Sequence, residues 1–182
     1  MNPLITCIIT CYENDPTEII QAMLNQTYPN KQLLVFCSDV DMQSFTNQDS
    51  QCEFFDVPNR RDWGHSKRAM GIAFAEGKYV CFVNADDEYE PNFLEIMGGV
   101  LEKEKADFAY CDFKDKTIDF DRVAAKLVKG GMTSGNFVVK SDKAKKVGWQ
   151  HRVYASDWYF IRDLLKERID IVYVPYSLMT HN

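Results

Sequence analysis

The stretch YVCFVNADDEYEP, residues 79–91, starts as an apolar run and ends in a cluster of acidic side chains. Residues 79–83 are apolar without alternation, which is typical of a strand inside a parallel sheet whose two faces are both covered. Asn84, Asp86, Asp87 and Glu88 follow directly. The stretch therefore predicts a buried strand with polar chemistry at its carboxyl end.

Other apolar runs of strand length occur along the chain, and segments with a helical period separate several of them. The predicted strands are residues 4–10, 33–37, 52–57, 79–83, 107–113, 135–140 and 171–175. One helix is predicted to begin at Pro16, and four others are predicted at residues 66–76, 91–105, 142–147 and 157–168. Residues 114–133 show no clear period. This order predicts an α/β fold with a mostly parallel central sheet flanked by helices.

The bulk properties limit the class of protein. A length of 182 residues predicts one domain covering residues 1–182. The net charge of −6, with Lys and Arg scattered, argues against a nucleic-acid partner. No apolar run approaches the roughly 20 residues of a membrane span. The six cysteines lack C-x-x-C spacing and are predicted to be buried thiols. With no charged and apolar leader in the sequence, we expect a cytoplasmic, reducing location.

The candidate site follows from the sheet. In an open parallel sheet, ligands bind beyond the carboxyl ends of the strands. The side chains at these predicted ends are Thr10, Cys11, Tyr12, Ser38, Asp39, Asn84, Ala85, Asp86 and Asp87. We expect them to share one edge of the sheet.

The acidic cluster at this edge predicts a divalent metal. Neighbouring carboxylates repel one another unless they are protonated or bridged by a cation, and oxygen ligands favour Mg²⁺ or Mn²⁺. Substrate phosphates usually complete such a site, which indicates a nucleotide-diphosphate ligand. An alternative is that Asp86, Asp87 and Glu88 cap the helix predicted at Pro91. The segment GIAFAEGK, residues 71–78, is not a phosphate loop, because its glycines are six apart and it ends a helix.

Several segments resemble a known family in order and spacing. They are TCYEN (10–14), LNQTYPNKQLLVFCSD (24–39), NRRDWGHSKRAMGIAFAEGKYVCFVNADDEYEPNF (59–93), GNF (135–137) and SDW (156–158). These segments resemble the family 2 glycosyltransferases. The resemblance implies a GT-A, Rossmann-like fold, with a nucleotide-binding half at about residues 1–105 and an acceptor and catalytic half at about residues 106–182.

The same resemblance implies an activity: transfer of a sugar from a UDP- or GDP-linked donor to a glycan or other hydroxyl acceptor. Transfer would invert the anomeric centre and use bound Mn²⁺ or Mg²⁺. The metal motif of the family matches residues 83–87, with Asp86 as ligand and His181 as a second ligand found in some relatives. Asp157 matches the catalytic base. A helix cap is the alternative role for Asp157.

Other residues match family positions that surround the two substrates. Thr10, Tyr12 and Arg68 match residues around the nucleotide, and His65 could meet the diphosphate or cap a helix. Residues expected around the acceptor or donor sugar are Asp87, Gly135, Asn136, Trp149, Tyr154 and Trp158. Ser38 and Asn84 depart from the family pattern, since relatives often carry acidic residues there.

Two other functions remain open from the sequence. A sugar-phosphate nucleotidyltransferase also uses acidic metal ligands on an α/β sheet, but it requires a glycine-rich basic loop after the first strand, which TCYENDP lacks. A catalytically impaired module that binds a nucleotide or sugar would account for Asn84 and Ser38.

Overall fold

The computed structural model describes residues 2–13, 15–40, 51–118 and 120–182, so that Asn14 of the TCYEN segment lies outside the described residues. The strands in these ranges are β1 (Ile5–Thr10), β2 (Lys31–Cys37), β3 (Cys52–Asp56), β4 (Tyr79–Asn84), β5 (Glu88–Tyr89), β6 (Phe108–Asp115), β7 (Phe120–Val123), β8 (Phe137–Lys140) and β9 (Ile171–His181). The helices are α1 (Thr17–Leu24), α2 (His65–Phe74), α3 (Phe93–Glu104), α4 (Ser141–Val147) and α5 (Ser156–Leu165).

The first four strands form a parallel block in the order β3-β2-β1-β4. All of β1, and all of β4 except Asn84, is buried, as expected for strands covered on both faces. Thr10 at the end of β1 pairs with Phe36 of β2 and with Asn84 of β4. The carboxyl ends of these strands therefore lie at one level.

The rest of the sheet is mixed. β8 is antiparallel to β4 and β6, β9 is parallel to β6, and β5 is antiparallel to β9. β7 pairs with β6 outside this path. The antiparallel ladders contain only two or three residue pairs, whereas the parallel ladders are longer. The sheet is thus mostly parallel by paired length.

Helix α2 lies unusually close to the sheet. It packs on β1 and β2, and a Cβ atom at Gly71 would lie only 2.4 Å from Ile8 Cγ2. The absence of a side chain at Gly71 permits this approach. The approach fixes the first turn of α2, which carries Lys67 and Arg68. Among the helices in the described ranges, none combines the length and apolarity needed to cross a membrane.

The predicted α/β fold with a mostly parallel sheet is confirmed, and three details differ. The pattern does not predict β5 or β7, since they are short and β7 is largely exposed. The predicted end of the last strand at residue 175 is wrong, because β9 resumes pairing with β6 after a register shift and reaches His181. Five cysteines are buried as expected, but Cys52 on the outer strand β3 is only partly buried.

Candidate active site

The carboxyl ends of β1 and β4 form the floor of a cleft of about 690 Å³, which we call the first cleft. The Ala85 N–H donates to the Thr10 carbonyl at 3.2 Å and ties the two strand ends together. The described residues lining the first cleft are Thr10, Cys11, Tyr12, Asn59, Arg60, Arg61, Asp62, Trp63, Gly64, Lys67, Arg68, Asn84, Ala85, Asp86 and His181. Eight of the predicted site residues therefore come together with Arg60, Arg61 and Lys67.

The first cleft is rich in cations although the chain is acidic overall. Arg60, Arg61, Lys67 and Arg68 line it, against the carboxylates of Asp62 and Asp86. Arg60, Arg61 and Lys67 are not among the site residues predicted from the sequence. The sequence signal for Arg60 and Arg61 is the loop NRRD, residues 59–62, which begins three residues after the end of β3. The cleft suits an anionic ligand such as a phosphate.

Arg68 is, with Lys67, one of the two buried cations in this group. Its Nη2 donates to Asn84 Oδ1 at 2.5 Å, and its Nη1 donates to the Trp63 carbonyl at 2.7 Å. The guanidinium also lies 5.3 Å from the centre of the Trp149 ring. Burial lowers the pKa of Arg68, but an arginine stays charged at neutral pH. Its positive charge is therefore held in a fixed orientation at the cleft wall.

Asn84 links this cation to a buried carboxylate. Its Oδ1 accepts from Arg68, while its Nδ2 donates to Asp87 Oδ2 at 2.7 Å and to Ser134 Oγ at 3.1 Å. Asp87 in turn accepts from His181 Nδ1 at 2.9 Å, and this hydrogen bond raises the pKa of His181. Asp87 is buried and is not among the described residues that line either cleft. It acts on the site through Asn84 and His181.

Asp86 is, with Asp62, one of two acidic residues among those that line the first cleft. Desolvation in the cleft, followed by the neighbouring Asp87, raises the pKa of its carboxyl, although the residue as a whole is exposed at the surface. His181 lines the same cleft. Within the described ranges, no group of three or more His, Cys, Asp or Glu side chains is arranged to hold a metal. Asp86 and His181 are thus the two predicted ligands that share a cleft.

A second cleft of about 430 Å³ contains Asp157. Burial raises the pKa of the Asp157 carboxyl, and its Oδ1 accepts from the Trp158 N–H at 2.7 Å. The N-cap of α5 is Ala155, without a side-chain hydrogen bond, so Asp157 does not act as the cap. The carboxylate remains at the cleft wall, in the first turn of α5.

The two clefts share part of their walls. Trp63, Arg68, Asn84 and His181 line both of them. The second cleft is also lined by Asp115, Thr117, Thr133, Ser134, Trp149, Tyr154 and Ser156. A ligand in the first cleft and a ligand in the second would therefore meet along this shared wall.

Ser38 and Asp39 are not among the described residues that line either cleft. Ser38 is buried, and its Oγ donates to the Val57 carbonyl at 2.8 Å. Asp39 has a left-handed backbone with φ of 59°, and its Oδ2 accepts from Asn59 Nδ2 at 3.1 Å. Both side chains thus support the loop that follows β3.

The residues expected around the sugar divide into cleft and support positions. Trp149 lines the second cleft but is buried, and its Nε1 donates to Ser156 Oγ at 2.8 Å.

Asn136 is fully buried and donates to the Cys111 carbonyl at 2.7 Å. Gly135 has no room for a side chain, because a Cβ atom would lie 2.5 Å from Tyr89 Oη. Trp158 packs partly buried against the core. Asn136, Gly135 and Trp158 are not found among the described cleft residues.

The capping alternatives for the acidic cluster and for His65 are wrong. The N-cap of α3 is Asn92, and Glu88 lies in β5 and forms an ion pair with Lys116 at 2.5 Å. The N-cap of α2 is Gly64. His65 is buried beside Arg68, and burial followed by the charge of Arg68 lowers its pKa to about 4. His65 is therefore neutral at physiological pH.

The chain is similar to a known family over most of its length. The family model for Glycosyl transferase family 2 matches residues 6–175. An uncharacterized glycosyltransferase of Rickettsia bellii is 27% identical over 143 residues, covering 75% of this chain and 20% of that protein. The glycosyltransferase GlyG of Streptococcus pneumoniae is 27% identical over 118 residues, covering 59% and 38%.

A third relative covers more of both chains. An uncharacterized glycosyltransferase of Haemophilus influenzae is 24% identical over 184 residues, covering 91% of this chain and 73% of that protein. The chain thus spans between a fifth and three quarters of the length of these curated relatives.

Solved structures share the fold. The crystal structure of S. aureus TarS superposes with a TM-score of 0.79 at 13% identity, covering 98% of this chain and 36% of TarS. TarS 1-349 in complex with UDP-GlcNAc gives a TM-score of 0.74 at 14% identity, covering 97% and 57%. At these identities the likeness concerns the fold.

Proposed function

Since the chain belongs to glycosyl transferase family 2, we propose that it transfers a sugar from a nucleotide-diphosphate sugar to an acceptor hydroxyl. One observation carries the proposal: the cation-rich first cleft and the Asp157 cleft share the wall formed by Trp63, Arg68, Asn84 and His181. A nucleotide diphosphate in the first cleft would present its sugar along this wall. An acceptor in the second cleft would meet the sugar there.

The donor is held mainly by charge in this proposal. Arg60, Arg61, Lys67 and Arg68 would face the diphosphate and orient it by charge-assisted hydrogen bonds. Tyr12 is exposed at the same cleft and would contact the base. TarS 1-349 has been crystallised with UDP and with UDP-GlcNAc, so uridine nucleotides are the first donors to test.

Asp157 would act as the general base. Its carboxylate takes the proton of the acceptor hydroxyl while the oxygen forms a bond to the anomeric carbon. The bond from that carbon to the diphosphate oxygen breaks, and the diphosphate leaves with the electron pair. A single displacement of this kind inverts the anomeric centre. The raised pKa of Asp157 makes the carboxylate a better proton acceptor than an exposed aspartate.

The residues present also fit a divalent metal. Asp86 supplies a carboxylate at the first cleft. The Nδ1 of His181 is hydrogen-bonded to the buried Asp87, so its Nε2 is left to bind a metal. Two protein ligands suffice where substrate phosphates complete the shell, which is the usual arrangement for Mg²⁺. When bound, such an ion supplies Lewis-acid stabilisation of the charge that develops on the leaving diphosphate.

The donor is tested by thermal shift. We expect UDP or a UDP-sugar with Mn²⁺ to raise Tm, whereas the nucleotide with a chelator should raise it less. GDP and GDP-sugars are compared with the uridine nucleotides to identify the nucleobase that the protein prefers. A chain that no nucleotide diphosphate stabilises, with or without metal, would contradict the proposal.

The role of Asp157 as general base is tested with the variant Asp157→Asn. The assay measures consumption of the donor that stabilises the protein. We expect turnover to fall by roughly a hundredfold to ten-thousandfold while the donor still raises Tm, since a positioned base contributes about that factor. Asp142→Asn is the matched control. Asp142 also lies in the first turn of its helix and accepts from the next backbone N–H, at 2.8 Å, but it lies on α4.

Two outcomes would contradict this assignment. Equal turnover in Asp157→Asn and the unmodified protein would remove Asp157 from the mechanism. If the unmodified protein bound the donor but showed no turnover with any acceptor, the result would favour a nucleotide-binding module over an enzyme.

A further inference from the structure

Two large aromatic side chains stand exposed at the second cleft. Trp63 is 64% exposed and Tyr154 is 81% exposed. Their ring centroids lie 6.5 Å apart, with an angle of 76° between the ring planes. A protein gains little stability from rings left in water, because burial of their apolar area is what stabilises the fold. The pair thus suits contact with something that enters the cleft.

The backbone presents these rings in a constrained way. Trp63 has φ of 53°, and Ala155, which follows Tyr154, has φ of 62°. Residues other than glycine rarely adopt this left-handed conformation, and it persists where surrounding contacts hold it, often at ligand sites. Arg68 supplies one such contact through its hydrogen bond to the Trp63 carbonyl. The rings are therefore displayed by a fixed backbone.

The position of the pair assigns it to the acceptor side. Tyr154 lines the second cleft together with Asp157, three residues later, and is absent from the described residues of the first cleft. Trp63 lines both clefts. The second cleft also offers polar groups, among them Asp115, whose Oδ1 accepts from Thr117 Oγ1 at 2.6 Å. The cleft thus combines aromatic faces with polar hydrogen-bonding groups.

We propose that Trp63 and Tyr154 form an aromatic platform on which a pyranose ring of a saccharide acceptor stacks. A pyranose has C–H faces that pack on aromatic rings and hydroxyl edges that take hydrogen bonds, and the second cleft provides both kinds of partner. The platform selects ring-shaped acceptors over acyclic polyols. This inference rests on the proposed function, because the stacked sugar presents its hydroxyl to Asp157.

The kinetic test compares platform variants with a control. Tyr154→Ala removes one ring, and Trp63→Asn removes the other with a residue that tolerates a left-handed backbone. We expect KM for a methyl pyranoside acceptor to rise about tenfold in each, with a smaller change in kcat, since one aromatic contact is worth about that factor. Tyr176→Ala is the matched control, because Tyr176 is 62% exposed on β9 and is not among the described cleft residues.

Selectivity is tested with defined probes. The probes are the methyl β-pyranosides of glucose, galactose and N-acetylglucosamine, with glycerol and ribitol as acyclic comparisons. The unmodified protein should prefer at least one pyranoside over ribitol, and this preference should shrink about tenfold in Tyr154→Ala. An unchanged preference in both platform variants would overturn the proposal. A tenfold loss of UDP affinity in Tyr154→Ala would also overturn it, since the ring would then serve the nucleotide.

A donor-free measurement separates this inference from the proposed function. The indole N–H signal of Trp63 is assigned in NMR spectra by its loss in Trp63→Asn. We expect a pyranoside to shift that signal without any nucleotide present, and ribitol to leave it in place. Equal shifts by ribitol and the pyranosides, or none by either, would overturn the platform. Failure of the proposed function would appear elsewhere, as a lack of stabilisation by every nucleotide diphosphate.

Discussion

Asn84 occupies the point where the charges of the site meet. Its carbonyl oxygen faces the guanidinium of Arg68, and its amide nitrogen faces the carboxylate of Asp87. A carboxylate at position 84 would satisfy Arg68 but would repel Asp87. The amide satisfies both neighbours, because it offers an acceptor on one side and a donor on the other. The departure from the acidic family pattern thus has a structural reason in this chain.

Asn84→Asp tests this role of the amide. Without metal we expect the variant to lose about 1–3 kcal/mol of unfolding free energy, because the hydrogen bond to buried Asp87 is replaced by repulsion. Addition of Mn²⁺ should raise Tm more in the variant than in the unmodified protein, since a cation relieves the repulsion. Chemical denaturation with chelator and thermal shift with Mn²⁺ measure the two effects.

Asn92→Asp is the control for added charge. Asn92 is the N-cap of α3, where Asn and Asp are about equally favourable, so stability should change little. If Asn84→Asp matched this control both with and without Mn²⁺, the amide would have no special role.

The sequence predicted the cleft positions that follow from strand ends. Thr10 and Asn84 end adjacent parallel strands, and Tyr12 follows two residues after Thr10, so the apolar pattern of the strands predicts that these residues lie at the same edge of the sheet. Ser38 also follows a strand, yet its hydroxyl bonds inward to Val57. Strand position determines where a Cα atom lies, but it does not determine which neighbour a short polar side chain finds.

Elements with a strong apolar signal were predictable, whereas short exposed elements were not. β1, β2 and β4 are almost wholly buried, and their apolar runs identify them. β5 is two residues long, and it forms because Glu88 and Tyr89 pair with the end of β9. Such pairing depends on contacts between residues far apart in the sequence. The same contacts bring His181 to Asp87.

Gly71 gives a prediction about helix packing. Gly71→Ala improves helix propensity but forces a methyl group against Ile8, so we expect a net loss of about 1–3 kcal/mol in unfolding free energy. Because α2 carries Lys67 and Arg68, donor affinity should fall as well. Denaturant unfolding and nucleotide thermal shift measure these effects.

Gly99→Ala is the matched control for Gly71→Ala. Gly99 is an exposed residue of α3, and no atom lies within 4 Å of a Cβ built there. This variant should gain about 0.5–1 kcal/mol from helix propensity alone. A similar gain in Gly71→Ala would show that α2 can move away from β1 without cost.

A buried carboxylate contributes to the stability of the whole molecule at neutral pH. Asp112 of β6 accepts from Tyr173 Oη at 2.6 Å, from the Ala125 N–H at 2.9 Å and from Arg122 Nε at 2.8 Å. Burial alone would raise the pKa of Asp112, but these hydrogen bonds outweigh burial and lower it. The folded protein thus favours the charged form. This contribution is present above the unfolded pKa of about 4 and is lost as pH falls through the folded value.

Asp112→Asn should therefore destabilise the protein most at neutral pH. We expect a loss of about 2 kcal/mol at pH 7, or roughly 4–8 °C in Tm, and a smaller difference from the unmodified protein as pH falls below about 4. Melting curves between about pH 3 and 7 measure the difference. Asp121→Asn, at an exposed neighbouring position of β7, should show little difference at any pH. A difference for Asp112→Asn that stays constant with pH would contradict this account.

The uneven distribution of charge affects how a ligand reaches the protein. The net charge is −6, yet four cationic side chains line the first cleft. Most of the surface then repels an anion, and the cleft mouth attracts it, so that diffusional encounters are steered toward one direction of approach. At physiological ionic strength this steering extends over about 8 Å. The acidic remainder of the chain, which takes no part in binding, thereby guides anionic ligands into the cleft.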